Sequence, residues 1–199
     1  GCDKHGWALA YSIDAGNVHD SQAFLALFEQ LERLQSDYLI ADSGYKTPSI
    51  AKFLLDQNIT PVFPYTRPRG KKGKLRPKDF IYDDYYDCYL CPENQVLAYS
   101  TTNRDGYREY KSDPKICAIC PLLSSCTESK KKQKVVTRHI WREYLEICEE
   151  IRHQKGSKEL YQKHKETVER LFGTAKEYHN LRYTREVGKS KMKAKVGLT

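Results

Sequence analysis

Apolar and polar positions alternate in a way that sets out the first third of the chain. Trp7 to Ile13 (WALAYSI) is a short apolar run with strand character. Asp14-Ala15-Gly16-Asn17 has turn chemistry. Asp20 is placed to cap a helix, with Phe24, Leu27, Phe28, Leu31 and Leu34 at helical spacing behind it. Tyr38-Leu39-Ile40-Ala41 predicts a second strand that runs straight into Asp42. Thr47-Pro48 is a cap followed by proline at the first helical position, and it predicts a helix over about 49–56 that ends at Asn58. Ile59 to Pro64 (ITPVFP) predicts a third strand. Strand, helix, strand, helix, strand in that order signals an α/β core that is at least partly parallel.

The pattern changes at Tyr65. Seven basic residues then fall within twelve positions: Arg67, Arg69, Lys71, Lys72, Lys74, Arg76 and Lys78. Glycine and proline are mixed among them, which predicts a loop. From Phe80 to Tyr110 the chain is rich in tyrosine and strand formers, with turns at Pro92-Glu93-Asn94 and Arg104-Asp105-Gly106, so β-hairpins are expected. A second basic run, Lys130 to Lys134, follows the cysteines. From Ile140 the pattern is helical, over about 140–154 and 158–178, with Gly156 between. The expected organisation is a first part of the α/β core at 1–65, a β-rich, cysteine-bearing insertion at 66–137, and core helices at 138–199. Internal repeats are absent.

Charge narrows the partner. A net charge of +8 and a pI near 9.0 favour a polyanion, with nucleic acid first, over the plainer reading of a basic soluble protein. No apolar run approaches the roughly 20 residues a membrane span needs, and no charged-then-apolar leader precedes the core. A cytoplasmic location is expected. The chain starts at Gly1 and ends at Thr199 inside a basic stretch, which reads as a portion of a longer protein.

Two carboxylates stand out. Asp42 lies at the carboxyl end of an apolar strand, where ligand groups of α/β sheets cluster, and a carboxylate there can hold Mg²⁺. It can equally be a turn former or cap. Glu169 lies in KETVERLFGTAK, with Lys165 four residues behind and Lys176 seven ahead. At α-helical pitch these three project within a ~40° sector. Val168, Leu171 and Phe172 form an adjoining apolar stripe suited to packing on a sheet. A carboxylate between two cations suits a site for metal and phosphate; a solvated face with ion pairs is the alternative.

Asp42-Ser43-Gly44-Tyr45 after a strand resembles the second-aspartate motif of bacterial insertion-sequence DDE transposases. Glu169 followed by Lys176 after six residues resembles their glutamate signature, with a basic residue four positions earlier. Where the family usually has Arg, this chain has Lys165. The usual upstream tyrosine falls on Gln162, with Tyr161 beside it. Gly16-Asn17-Val18-His19-Asp20 is similar to the turn before the family's first core helix. The tyrosine-rich, cysteine-bearing insertion resembles one subgroup.

The resemblance implies a ribonuclease H-like core, here incomplete. It implies three carboxylates in the order Asp, Asp, Glu that bind two divalent metals, Mg²⁺ or Mn²⁺, for in-line attack at a phosphodiester. Asp42 and Glu169 are then catalytic and metal-binding, and Lys165, Lys176 and Tyr45 contact DNA or phosphate nearby. Transposon ends and target DNA are the implied partners, and the complete protein is an expected homo-oligomer in the bacterial nucleoid. The first aspartate is expected upstream of Trp7. Asp14 and Asp20, in a turn and a helix cap, are poor substitutes. The 199-residue chain alone is therefore expected to be inactive and poorly stable.

Seven cysteines are unevenly spread, five of them between Cys88 and Cys126. Cys88-x2-Cys91 and Cys117-x2-Cys120, 25 residues apart, resemble zinc-ribbon spacing. A structural Zn²⁺ on Cys88, Cys91, Cys117 and Cys120 is expected, with Cys126 as an alternate ligand. Metal-free reduced cysteines or disulfides remain open. Cys148, in a helical pattern, is expected to be buried. The basic runs and the basic stretch from Arg182 to Lys195 are candidate phosphate contacts. Tyr82, Tyr85, Tyr86 and Tyr89 suit hairpin packing or base stacking. Besides a DDE transposase, two readings stay open: a non-catalytic zinc-ribbon module that binds nucleic acid, and a metal-dependent nuclease of the same fold.

Overall fold

The computed structural model describes residues 1–68 and 70–198, so Arg69 of the basic loop and Thr199 lie outside the described residues. The chain forms two compact units, Gly1–Thr66 with Glu143–Thr199, and Arg67–Arg142. It is a mixed α/β protein. In the first unit α1 (Asp20–Phe28) precedes β1 (Tyr38–Ile40), α2 (Pro48–Asp56) and β2 (Thr60–Val62). The second unit holds β3 (Ile81–Asp83), β4 (Cys88–Leu90), β5 (Val96–Thr102), β6 (Tyr107–Lys111), the one-turn helices α3 (Pro114–Cys117) and α4 (Leu123–Cys126), and β7 (Val135–His139). Then come α5 (Arg142–His153), α6 (Ser157–His164), a π-helical turn (Lys165–Glu169), α7 (Arg170–Tyr178) and α8 (Lys189–Gly197).

β1 and β2 pair in parallel, with Tyr38 opposite Thr60 and Ile40 opposite Val62. Parallel neighbours need a crossover, and α2 supplies it. Its start follows the expected chemistry: Thr47 accepts a hydrogen bond from the Ile50 N–H (3.3 Å), and Pro48 occupies the first turn. The core beneath joins Phe24 of α1, Ala41, Ile50, Ala51 and Leu54 of α2, Phe63, and Cys148 of α5. Cys148 is buried as expected, and burial pushes its thiol up to about 11.

Two expectations fail here. Trp7–Ile13 is not a strand: its one ladder contact is an isolated bridge between Cys2 and Ala8, and Trp7 is 74% exposed. A strand exists through a neighbour that takes its backbone hydrogen bonds, and β1 and β2 pair only with each other. The first helix stops at Phe28 instead of reaching Leu34. Beyond it the Leu31 and Leu34 N–H groups bond three residues back (2.8 and 2.9 Å), and Gln35 turns the chain at φ +42°.

The second unit is a five-stranded antiparallel meander in the order β3-β4-β5-β6-β7. The two expected turns are present, with Asn94 at φ +55° and Gly106 at φ +78°. β7 was not anticipated. Its Val-Val-Thr run pairs along the whole of β6, from Tyr107 opposite His139 to Lys111 opposite Val135. Phe80, Tyr89, Leu97, Tyr110 and Val136 form the core of this unit. Asp87 Oδ1 accepts from the hydroxyls of Tyr110 (2.6 Å) and Tyr82 (2.8 Å), which places a polar clasp on the edge of the tyrosine cluster.

In the first unit the chain leaves at Thr66 and returns at Glu143. Lys46 and Glu149 register the return. The Lys46 ammonium, 11% exposed, forms a short ion pair with the Glu149 carboxylate and donates to the Pro64 carbonyl (3.2 Å). Arg152 Nε donates to the same carboxylate (2.9 Å), and its guanidinium lies 5.2 Å from the centroid of the Tyr65 ring. Burial acts to raise the pKa of Glu149, but the hydrogen bonds and charges of Lys46 and Arg152 outweigh it and hold the carboxyl below its ordinary value. A depressed folded pKa gives stability that is present above the unfolded value of about 4.3 and lost as pH falls through the folded one. Glu149→Gln should therefore cost about 1–2 kcal/mol near neutral pH, between the exposed-pair and buried-pair ranges. The gap from the parent chain should close below about pH 4. Urea unfolding at several pH values checks this; a gap that stays constant from neutral to acid would count against the pairing.

Candidate active site

Asp42 leaves the sheet where the ladder ends. The Ala41 N–H still bonds to the Val62 carbonyl (3.3 Å), and Ala41 is buried, but Asp42 is exposed. Its Oδ1 accepts from the Gly44 N–H (2.8 Å) and caps the 3₁₀ turn Ser43–Tyr45. The capping role is thus real, and it orients the carboxylate. Gly44 permits the arrangement: a Cβ there would stand 3.0 Å from Asp20 Oδ2 and 3.1 Å from Asp42 Oδ1. Tyr45 packs its ring near Phe24 (centroids 6.2 Å apart) in the core of this unit. Burial first, then the charges of Asp20 and Asp42, raises the pKa of its hydroxyl.

Glu169 stands within a continuous helical run from Ser157 to Tyr178, as the sequence leads one to expect, with Gly156 at φ +92° before it. The run is not uniformly α. Lys165–Glu169 is π-helical. Within it the Thr167 hydroxyl donates to the carbonyls of Lys163 and His164 (both 3.1 Å). Such back-bonding competes with the i→i−4 ladder, and π turns often occur at functional sites. The wider turn invalidates simple 100° arithmetic between Lys165 and Glu169.

Even so, the residues meet. A cleft of about 380 Å³ in the first unit is lined by Asp42, Tyr161, His164, Lys165, Val168, Glu169, Phe172, Gly173 and Lys176. Asp42 and Glu169, 127 positions apart in sequence (169 − 42), border one space together with both lysines. Tyr45 is not among the lining residues. Phe172 departs from the expected packing stripe: it faces the cleft and is 59% exposed, whereas Val168 and Leu171 are half-buried.

Sequence reasoning passed over His164. Burial lowers its pKa, while the charges of Asp42 and Glu169 act in the opposite direction. Burial raises the pKa of Tyr161, and the same two carboxylates add to that. The Tyr161 and His164 rings are 5.8 Å apart, and the Lys165 ammonium lies 5.6 Å from the Tyr161 ring centroid. A signal was available: His164 precedes Lys165 and lies five residues before Glu169.

The oxygen donors of Asp42 and Glu169 suit a hard divalent cation, and His164 adds a nitrogen. No three His, Cys, Asp or Glu side chains among the described residues are grouped so that they could hold one ion. The donor type thus fits a metal, and the shell needs further ligands.

Other candidates have mixed fates. Lys71 and Lys74 pair with Glu128 (2.9 and 3.3 Å), and Lys134 donates to the Cys126 carbonyl (2.9 Å), so part of each basic run serves the fold. Tyr82 and Tyr89 pack together, while Tyr85 and Tyr86 are 88% and 74% exposed. Cys117, Cys91 and Cys120 are near enough to Cys126 to interact with it electrostatically, and Cys88 is not among them. No three cysteines among the described residues are grouped so that they could hold an ion, so the expected zinc site on Cys88, Cys91, Cys117 and Cys120 is not formed in the structure. No helix among the described residues is long and apolar enough to cross a membrane.

Fold and site together define a mixed α/β protein with two acids and two lysines around one open cleft. The chain belongs to the transposase DDE domain family, whose model matches residues 90–199. The matched stretch contains Glu169, His164 and both lysines; Asp42 lies before it. No curated protein and no solved structure matches the chain. Family membership makes this a transposase domain, of an enzyme class that acts in transposition and generally uses divalent metals.

The shared cleft can be checked without activity. Asp42→Asn with Glu169→Gln should lower the pKa of His164 further, because both carboxylates support its charged form. NMR titration of the imidazole reads this directly. An unmoved midpoint would mean that the two acids do not face His164.

Proposed function

We propose that the cleft carries two of the three catalytic carboxylates of an insertion-sequence DDE transposase with a ribonuclease H-like core. One observation carries the reading: Asp42, at the carboxyl end of a parallel strand, and Glu169, on a distant helix, line the same cleft between Lys165 and Lys176. Strand-end carboxylates are where α/β sheets hold ligands. Mg²⁺ or Mn²⁺ held there would supply activation of water or a 3′-hydroxyl and charge neutralisation at the leaving oxygen.

The chain's own groups do the rest. Asp42 is held in orientation by the Gly44 N–H, and Glu169 is presented by the π turn. Lys165 and Lys176 bind the phosphates that flank the scissile bond. Tyr45, half-buried in the Asp42 turn, contributes by fixing that turn. His164, with its pKa lowered by burial, is neutral near pH 7 and available to accept a proton. The substrates on this reading are transposon ends and target DNA, bound by a homo-oligomer in the bacterial nucleoid. The net charge of +8 supports a polyanionic partner.

Two carboxylates are one short of the family's three. The third, on this reading, comes from outside the cleft lining described above, and the 199-residue chain does not cut DNA alone. Asp20, whose carboxylate reaches the Gly44 turn beside Asp42, is a competing donor.

In the complete protein, Asp42→Asn and Glu169→Gln should each reduce cleavage of transposon ends by at least about 10³-fold, consistent with loss of several kcal/mol of transition-state stabilisation. Binding to the same DNA in a gel-shift assay should persist. Unchanged cleavage by either variant would eliminate this site. Mn²⁺-dependent nicking by the 199-residue chain, abolished by Asp20→Asn, would instead make Asp20 the third ligand.

A further inference from the structure

We infer that Cys91, Cys117, Cys120 and Cys126 form a structural zinc site in the Arg67–Arg142 unit, and that Cys88 is the cysteine left out. The inference does not depend on the proposed DNA chemistry, because it concerns only the second unit.

Strand geometry excludes Cys88. A Cys-x2-Cys pair can close on one ion when a turn brings both sulfurs to the same side. Residues 88–90 are instead strand β4, in register with both β3 and β5. Side chains alternate along a strand, so residues three apart point to opposite faces. Tyr89 lies in the core of the unit, and Cys91 packs against that core from the same side. Cys88 is buried away from it, with Asp83 and Asp87 as its charged neighbours. That acidic setting opposes the thiolate a metal needs.

The other four converge on one place from three segments. Cys91 and Cys126 both pack against the Phe80–Tyr110 core, although they are 35 positions apart (126 − 91). Cys117, Cys91 and Cys120, together with Lys134, are near enough to the Cys126 thiol to interact with it electrostatically. Cys117 and Cys120 are joined by the turn bond from the Cys120 N–H to the Cys117 carbonyl (3.2 Å). Cys126 ends α4, six residues later.

The surroundings suit metal-bound thiolates. The turn after β4 folds back, with the Asn94 N–H on the Cys91 carbonyl (2.8 Å) and Asn94 at φ +55°. This aims the Gln95 N–H at Cys91 Sγ (3.4 Å). The Cys117 thiol is within 3.2 Å of the hydroxyl of buried Ser112. Lys134 stands beside Cys126, held in place by its bond to the Cys126 carbonyl and by the Phe80 ring 5.1 Å away. A shell of four thiolates around Zn²⁺ carries a net charge of −2, and a fixed ammonium beside it offsets part of that.

The site also answers a structural need. α3 and α4 are four residues each, far below the length at which a helix persists unaided. Ile116 of α3 and Ile119, in the turn between the two helices, are 44% and 88% exposed, so little core holds this segment. A tetrahedral S₄ zinc would tie both helices to the end of β4. With no open coordination position its role is structural, and its binding energy contributes to folding. In the structure no three of these thiols are grouped as a coordination shell; side-chain rotation would have to close them on the ion.

The test uses the 199-residue chain, purified without chelators and loaded with zinc. Elemental analysis should find one zinc per chain, and X-ray absorption should show four sulfurs at about 2.3 Å. Cys88→Ser should leave both unchanged. Cys126→Ser should lose the metal or replace one sulfur by a lighter atom. If Cys126→Ser does not fold, the Cys88→Ser spectrum still decides. A sulfur lost in Cys88→Ser, a shell with fewer than four sulfurs in the parent chain, or no zinc at all would overturn the inference.

Discussion

The ion pair between Lys46 and Glu149 is the constraint on which the cleft depends. Lys46 lies four residues after Asp42, on the segment that leaves β1. Glu149 lies in α5, on chain that has returned from the whole Arg67–Arg142 excursion. A long excursion is entropically tolerable, since each doubling of loop length adds only about 0.6 kcal/mol. Tolerance does not provide register, however. Lys46, Glu149, Arg152 and Tyr65 provide it, by linking the last residues before the excursion to the first helix after it. Once α5 is placed, α6 can lie against β1 and β2, and the run that follows delivers Glu169 opposite Asp42. A partly buried pair of this kind contributes little net stability but penalises wrong arrangements, because either charge left alone is costly.

Much of the first unit was legible because its signals are local. Thr47-Pro48 caps a helix wherever it occurs, and an apolar run that breaks at an aspartate marks the end of a strand. Trp7–Ile13 was misread for the complementary reason. Strand propensity describes a surface that would pair well, but pairing needs a second strand, and that is a property of the fold. β7 shows the reverse case: Val135-Val136-Thr137 is a weak local signal that becomes a full strand because β6 presents an edge to it. The cysteines carried an internal conflict that was visible in advance. Reading Phe80–Tyr110 as hairpins and Cys88-x2-Cys91 as a knuckle asks the same residues to be both strand and turn, and the structure resolves this in favour of the strand.

At the glutamate the sequence reading grouped residues that line one cleft in the structure, through an approximate geometry. Lys165, Glu169 and Lys176 were grouped by α-helical angles, yet the first two are joined by a π turn. The grouping survives because all three lie along one helical run whose exposed side borders the cleft. His164 was missed for a related reason. Pattern reading assigns a histidine among lysines and glutamates to the solvated face, whereas packing leaves it half-buried with its charged form penalised. A π turn costs a helix its regular ladder, and Thr167 replaces part of that loss with its own hydroxyl. That the π turn ends on Glu169 fits a helix shaped to place one carboxylate, not one optimised for its own stability.

The basic charge, the first hint of a nucleic-acid partner, also changes meaning with the structure. Counting lysines treats every one as surface potential. Three of them are half-buried donors to backbone carbonyls: Lys46 to Pro64, Lys74 to Ser124 and Lys134 to Cys126. Such lysines neutralise acids or complete hydrogen bonds inside a unit, and they have little charge left to offer a phosphate outside it. The lysines that matter for a polyanion are those held on an open surface beside groups that need the polyanion. Lys165 and Lys176 meet that description, because the same cleft exposes two carboxylates that would repel DNA if they stood alone. Acids and lysines in one cleft are therefore not redundant. On the proposed reading the lysines would draw in the phosphates, while the acids would oppose that approach unless a cation held by them offset their charge. Binding and metal loading would then be coupled through the sign of the charge, before any chemistry begins.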